Sequence, residues 1–240
     1  MLKAVLFDFN GVIINDEPLH EKLIEQILIE ENLVLKPGEF RQICLGRSDR
    51  VCLGELLSRR GRIVNDSYLE ELTVRKSRYY QQQLAALEKL PIYPGLDDLI
   101  FNLRAAQIKL AIVSGALRSE IDLVLNRANL SQHFTVIVSG DDGVASKPEP
   151  DGYLLAIERF NQQNAGIALK PSNCLAIEDT FPGIQAAKQA GMQVVGVANS
   201  YPFHMMQRQA NWALDYLFDL ELERVQQLYA NTPSVANPAS

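Results

Sequence analysis

The sequence predicts an α/β protein: a Rossmann-like parallel sheet with helices on both faces, plus a small inserted all-helical cap. Three observations predict it. Five apolar runs are too short for helices and read as fully buried strands. Stretches with apolar residues at helical spacing lie between them. The alternation stops once, between about residues 16 and 90, where helical spacing alone is found. Buried strands alternating with amphipathic helices imply a parallel sheet covered on both faces.

The first strand is expected over 4–7. The inserted region follows, with Leu23, Ile24, Ile27 and Leu28 on one helix, then Leu53, Leu56 and Leu57 on another. A long polar helix is expected around 66–87, and Pro18, Pro91 and Pro94 punctuate the two ends. The expected organisation is a discontinuous core of residues 1–15 and 91–230, with a helical cap over 16–90. An insertion after the first strand lies where open α/β sheets build their sites, and suits a lid. Leu96, Leu99, Ile100 and Leu103 predict the next helix, and Ile121, Val124, Leu125 and Ala128 another. The remaining strands are expected over 110–113, 136–138, 175–177 and 194–197. The last ten residues, 231–240, are small and polar with two prolines and read as a flexible tail.

The 240 residues are 47% apolar and 22% charged, ordinary globular usage that argues against a largely disordered chain. The formal charge is 23 − 29 = −6, with no stripe of Lys or Arg, so nucleic acid is not an expected partner. No apolar run reaches 18 residues, and no membrane partner is expected. The N-terminal MLKAVLFDFNG is too short an apolar run for a signal peptide, and Asp8 interrupts it. Cys44, Cys52 and Cys174 lack metal-like spacing. They read as ordinary buried thiols of a cytoplasmic protein. The expected assembly is a monomer or weak homodimer.

Candidate chemistry gathers at the strand ends. Asp8 closes the first strand in VLFDFNG. Alone it reads equally as a turn cap or as an acid presented at the sheet edge. Ser114 and Gly115 close the second strand, where a hydroxyl and free backbone N–H groups suit a phosphate or serve only as a helix cap. Lys147 in SKPEP precedes Pro148, which favours an extended residue that can point back over the edge; a solvated lysine is the alternative. Glu178 and Asp179 end the fourth strand, and Thr180 and Pro182 start a helix. Two adjacent acids behind a buried run need a cation nearby, unless they only complement the helix dipole.

The set says more than its members. Asp8, Glu178 and Asp179 carry −3, a bound phosphate adds about −2, and Lys147 returns +1. A divalent cation closes the balance, and oxygen ligands select Mg²⁺.

In this order the residues resemble the haloacid dehalogenase-like superfamily, in its phosphoglycolate phosphatase and β-phosphoglucomutase branch. The resemblance spans about residues 3–220 and is most specific in IEDTFPGIQAAKQAGM, residues 177–192. It implies a Mg²⁺-dependent phosphatase acting on a small phosphorylated metabolite. Asp8 would attack phosphorus and form an aspartyl-phosphate. Ser114 and Lys147 would bind the transferring group, with Gly115 beside them. Asp8, Glu178, Asp179 and the backbone carbonyl of Asn10 would hold the metal. Such a division fits phosphoryl transfer, where positioning and charge neutralisation supply most of the rate.

One position departs from the resemblance. The family's phosphatases normally carry a second Asp two residues after the nucleophile, as general acid and base; here it is Asn10. An amide cannot shuttle a proton, and that catalysis is typically worth about 10²–10⁴-fold. His20 is a candidate donor, with a packing role as its alternative. In the stretch LGRSDR, residues 45–50, arginines stand where a Schiff-base lysine would be needed for a phosphonoacetaldehyde hydrolase. Arg47 or Arg50 there can grip a substrate carboxylate or second phosphate. A sugar-phosphate mutase and a non-catalytic phosphate-metabolite sensor remain as alternatives.

Overall fold

The computed structural model describes residues 1–163 and 168–231. The elements run β1 (Ala4–Phe7), α1 (Glu17–Glu30), α2 (Glu39–Ile43), α3 (Asp49–Ser58), α4 (Asp66–Ala85), α5 (Leu96–Ala105), β2 (Lys109–Val113) and α6 (Arg118–Arg127). They continue with β3 (Val136–Val138), α7 (Asp151–Gln163), β4 (Cys174–Glu178), α8 (Phe181–Gln189), β5 (Gln193–Val197), α9 (Phe203–Gln209), β6 (Trp212–Leu214) and α10 (Leu222–Asn231). Asn231 of the expected tail ends α10, and the rest of the tail lies outside the described residues.

All strand pairs are parallel, in the order β3-β2-β1-β4-β5-β6. The fold class is the expected one. β1 sits centrally because its four residues are all buried. Alternation then sends them to opposite faces. Val5 and Phe7 join one apolar cluster, with Ile112, Leu175 and Ile177. Ala4 and Leu6 join another, with Ala111, Val113 and Ala176. Helices cover both clusters: α5 and α6 bring Leu99 and Val124 to the first, and α7 and α8 bring Tyr153 and Ile184 to the second.

The sequence reading missed β6. It is three half-buried residues at the sheet edge, pairing with β5 alone, and so carries no apolar run of its own.

Helices α1–α4 lie between β1 and β2 and share a third apolar cluster that includes Ile24, Ile27, Leu53, Leu56, Leu57 and Leu72. The two chain segments joining them to the sheet run side by side. Asn15 N donates to Pro91 O at 2.8 Å, and Tyr93 N to Ile13 O at 3.1 Å. Asn65 caps α4 by accepting from Tyr68 N.

Cys44 and Cys52 form a disulfide, with Cα atoms 4.7 Å apart, while Cys174 is a buried thiol. The expectation of three thiols is therefore corrected. The turn between α2 and α3 folds back on itself, and eight residues of separation become a bonding distance. No described helix is long and apolar enough to cross a membrane.

Candidate active site

Strand order reverses between β2 and β4 on either side of β1, the point at which open parallel sheets leave a crevice at their C-terminal edge. The register pairs Phe7 with Ile112 and Ile177, so Asp8 stands level with Glu178. Asp8 N donates to Ile177 O at 2.9 Å, and its Oδ1 accepts from Phe9 N at 2.7 Å. Ser114 follows β2; its N donates to Val138 O at 3.0 Å, and its Oγ accepts from Ala116 N at 3.0 Å. Thr180 Oγ1 caps α8 by accepting from Gly183 N, which fixes the turn that carries Glu178 and Asp179.

The three acids converge. One carboxylate oxygen from each of Asp8, Glu178 and Asp179 lies within 4.8 Å of the others. Glu178 and Asp179 have no exposed surface, and Asp8 is 6% exposed. Lys147 reaches them from the loop before α7, across a cis bond to Pro148. Its Nζ is 2.9 Å from Asp8 Oδ1 and 2.7 Å from Glu178 Oε1. Tyr153 OH also donates to Glu178 Oε1.

One ammonium does not balance three carboxylates in this setting. Burial, reinforced by the Asp8 charge, pushes the Glu178 carboxyl up to about 8. The same two causes hold Asp179 well above the usual carboxylate range, against the hydroxyl of Ser200 donating to its Oδ2 at 2.5 Å. Burial opposes charge on Lys147, but Asp8 and Glu178 outweigh it and raise its pKa.

Two buried oxygens, Glu178 Oε2 and Asp179 Oδ1, have no hydrogen-bond partner. Unpaired buried acceptors are costly, and these belong to hard anionic donors. The set fits a small divalent cation such as Mg²⁺. Two glycines make room for these carboxylates. A Cβ on Gly183 would lie 1.8 Å from Glu178 Oε2, and one on Gly11, whose φ is +78°, 2.0 Å from Asp179 Oδ2.

Beside the acids is a cavity with about 40 Å³ of space for water-sized molecules. Asp8, Asn10, His20, Arg47, Ser114, Gly115 and Lys147 all line it. Glu178 and Asp179 are not among the lining residues. Arg50 pairs with Asp66 at 2.7 Å and is not among the lining residues. Sequence reasoning missed Glu17 and Asp49, which also line the cavity. Both look like ordinary acids in the first turn of a helix, so their sequence signal pointed elsewhere.

Next to the cavity lies a buried polar network between α1, α3, α4 and α6. Asn10 Nδ2 is 2.9 Å from Asp16 Oδ2 and 2.9 Å from His20 Nε2. Tyr80 OH donates to Asp16 Oδ2 at 2.5 Å. His20 Nδ1 lies 2.5 Å from Lys76 Nζ, which pairs with Asp49 at 2.7 Å and faces Glu120 at 3.7 Å. Burial and the Lys76 charge oppose a proton on His20, but Asp16 and Asp49 outweigh them and raise its pKa. The sequence offered no lysine in the 45–50 turn. Lys76 comes instead from the long helix α4, and it is fully buried and ion-paired rather than on the cavity wall.

The helical segment touches the sheet edge directly. Ser48 N donates to Ser146 Oγ at 2.9 Å. A Cβ on Gly115 would lie 2.8 Å from Ser48 Cα, so only glycine lets the two backbones approach so closely.

This strand order, with a carboxylate ending the central strand beside a lysine and two further buried acids, defines a Rossmann-like α/β protein with a charge-dense centre at its switch point. The chain belongs to the haloacid dehalogenase-like hydrolases, whose family model matches residues 2–191. It is 30% identical over 207 residues to a β-phosphoglucomutase of Bacillus subtilis, covering 84% of this chain and 85% of that one. It is 29% identical over 200 residues to a phosphorylated carbohydrates phosphatase of Thermotoga maritima, covering 83% and 87%. The fold matches a crystal structure of β-phosphoglucomutase from Clostridium difficile with a TM-score of 0.82, at 24% identity and covering 96% and 98% of the two chains. These relatives set the chain in the phosphoglycolate phosphatase and β-phosphoglucomutase-like branch.

Proposed function

We propose that the chain is a Mg²⁺-dependent phosphatase of small phosphorylated metabolites, acting through an aspartyl-phosphate on Asp8. The observation that carries this reading is the position of Asp8. It ends the central strand, opens onto the cavity, and has Lys147 at 2.9 Å and two further acids beside it.

In this reading Asp8 attacks phosphorus, and the Ser114 hydroxyl and Lys147 ammonium hold the phosphoryl oxygens. Gly115 contributes backbone at the start of the turn. Asp8, Glu178, Asp179 and the Asn10 carbonyl would hold Mg²⁺, which when bound neutralises charge on the transferring group. A carboxylate nucleophile splits hydrolysis into two easier steps. Residues 16–90 act as a cap, and Arg47 on the cavity wall meets the far end of the substrate. The guanidinium suits a second anionic group. The relative named for phosphorylated carbohydrates points to a sugar phosphate.

A sugar-phosphate mutase is the second reading, favoured by the relative at 30% identity that carries that name. Such an enzyme shares the nucleophile and must keep water from the phosphoenzyme.

The test is a screen of small phosphomonoesters, with and without Mg²⁺, with Asn10→Asp assayed alongside. Free phosphate released only with Mg²⁺ supports the phosphatase, and an isomerised hexose phosphate supports the mutase. Stabilisation by Mg²⁺ with inorganic phosphate, without turnover of any ester by either protein, would make the chain a binding protein.

A further inference from the structure

We propose that Glu17 performs the proton transfers that Asn10 cannot: it protonates the leaving alcohol and then takes the proton of the attacking water. This assignment rests on the phosphatase reading above.

Elimination carries the argument. Proton carriers on the cavity wall are Asp8, Glu17, His20, Asp49 and Lys147. Asp8 is the nucleophile. Lys147 is engaged by Asp8 and Glu178. Asp49 is ion-paired with Lys76. His20 has Lys76 on one ring nitrogen, and Asn10 and Asp16 on the other. Glu17 is the lining carboxyl that makes no hydrogen bond or ion pair among the described residues. It is the first residue of α1 and is set on the cavity wall with Asp8 and Asn10.

Its surroundings favour the protonated form a general acid needs. Burial pushes the Glu17 carboxyl up to about 7; Asp16 and Asp8 add to the rise, and His20 and Lys76 oppose it. The N-terminal dipole of α1 favours the anion, and burial wins over it. Asp179 and the phenols of Tyr93 and Tyr201 also feel the Glu17 charge. A pKa near the working pH serves a group that must first give and then accept a proton.

The steps balance. As an Asp8 oxygen bonds to phosphorus, the ester P–O bond breaks and the Glu17 proton passes to the departing oxygen, releasing a neutral alcohol. Water then attacks phosphorus while Glu17 takes its proton, and the bond from phosphorus to Asp8 breaks. Phosphate leaves, and Glu17 is protonated again.

The test uses the full chain with Mg²⁺, an alkyl phosphate found by the screen, and p-nitrophenyl phosphate, whose leaving group needs no proton. Glu17→Gln is expected to slow phosphoenzyme formation from the alkyl ester by about 10²-fold, with a much smaller loss on the nitrophenyl ester. The native rate should fall as pH rises through the Glu17 pKa, and that limb should vanish in the variant. Asn10→Asp combined with Glu17→Gln should recover at least the native rate. Circular dichroism and thermal melting establish that Glu17→Gln is folded, and Glu17→Asp, which keeps the carboxyl on a shorter arm, should lose less. A Glu17→Gln rate within about threefold of native on the alkyl ester, or an equal loss on both esters with the limb intact, overturns the assignment alone. Absence of phosphoenzyme and of released phosphate in native and Asn10→Asp proteins overturns the phosphatase reading and Glu17 with it.

Discussion

Asn10 and Asp16 are a matched pair: the carboxamide of one donates to the buried carboxylate of the other at 2.9 Å. Asp16 has Tyr80 as a further donor, lies 3.3 Å from His20 Nε2, and is 2% exposed. An acid at position 10 would face a second carboxylate at that range, and like charges so close force one to retain a proton.

In the Glu17→Gln background, Asn10→Asp is therefore expected to raise turnover by about 10²-fold, because the retained proton supplies a general acid. Adding Asp16→Asn removes the repulsion. It should move the alkaline limb of the pH–rate profile of Asn10→Asp to lower pH while the gain persists. Steady-state rates from pH 5 to 9 on the screened ester check both points.

Lys147 is the cation closest to the buried acids. Lys147→Met leaves Asp8 and Glu178 without it, and removing one partner of a buried ion pair typically costs about 3–5 kcal/mol. Urea unfolding at neutral pH without metal should show a loss of that order.

Gly183→Ala places a methyl where Glu178 Oε2 now sits. The carboxylate must shift, and Mg²⁺ affinity measured by calorimetry should weaken by about 10–100-fold, the range seen when support of metal ligands is disturbed. The circular dichroism spectrum should stay helical.

Glu39 accepts from Arg60, and that hydrogen bond holds its carboxyl below the ordinary value despite burial. A depressed folded pKa means the stabilisation is complete above the unfolded pKa and is lost as pH falls through the folded one. Glu39→Gln should lower stability at pH 7 by about 1 kcal/mol or less. The difference from native protein should shrink on acidification below pH 4.5, the ordinary carboxyl value. Thermal melts at pH 7 and pH 3.5 read it.

Cys44 and Cys52 are bonded and Cys174 is free. Denatured, unreduced protein should expose one titratable thiol, and reduction should raise the count to three.

Strand positions were legible where burial on both faces left an unbroken apolar run, as in residues 4–7 and 194–197. Trp212–Leu214 was not legible, because a half-buried edge strand needs no such run. The places of Asp8, Ser114 and the 178–179 acids were legible because each closes or follows a strand, and parallel strands end on one edge; Lys147, in the loop between β3 and α7, was signalled by the proline after it. The network around His20 was hidden for the opposite reason. Lys76 and Tyr80 sit on the buried face of a largely polar helix, and their partners lie 56 and 64 residues away. The place of Glu17 on the cavity wall was masked by its position in a helix's first turn, where acids are common.

The near-touch of Gly115 and Ser48 has a consequence for what the protein can act upon. With backbone against backbone and Ser48 anchored to Ser146, the turn at 46–48 leaves no gap beside Gly115. On the proposed reading, in which residues 16–90 cover the substrate, a phosphate borne on a protein or a nucleic acid terminus would collide with that turn.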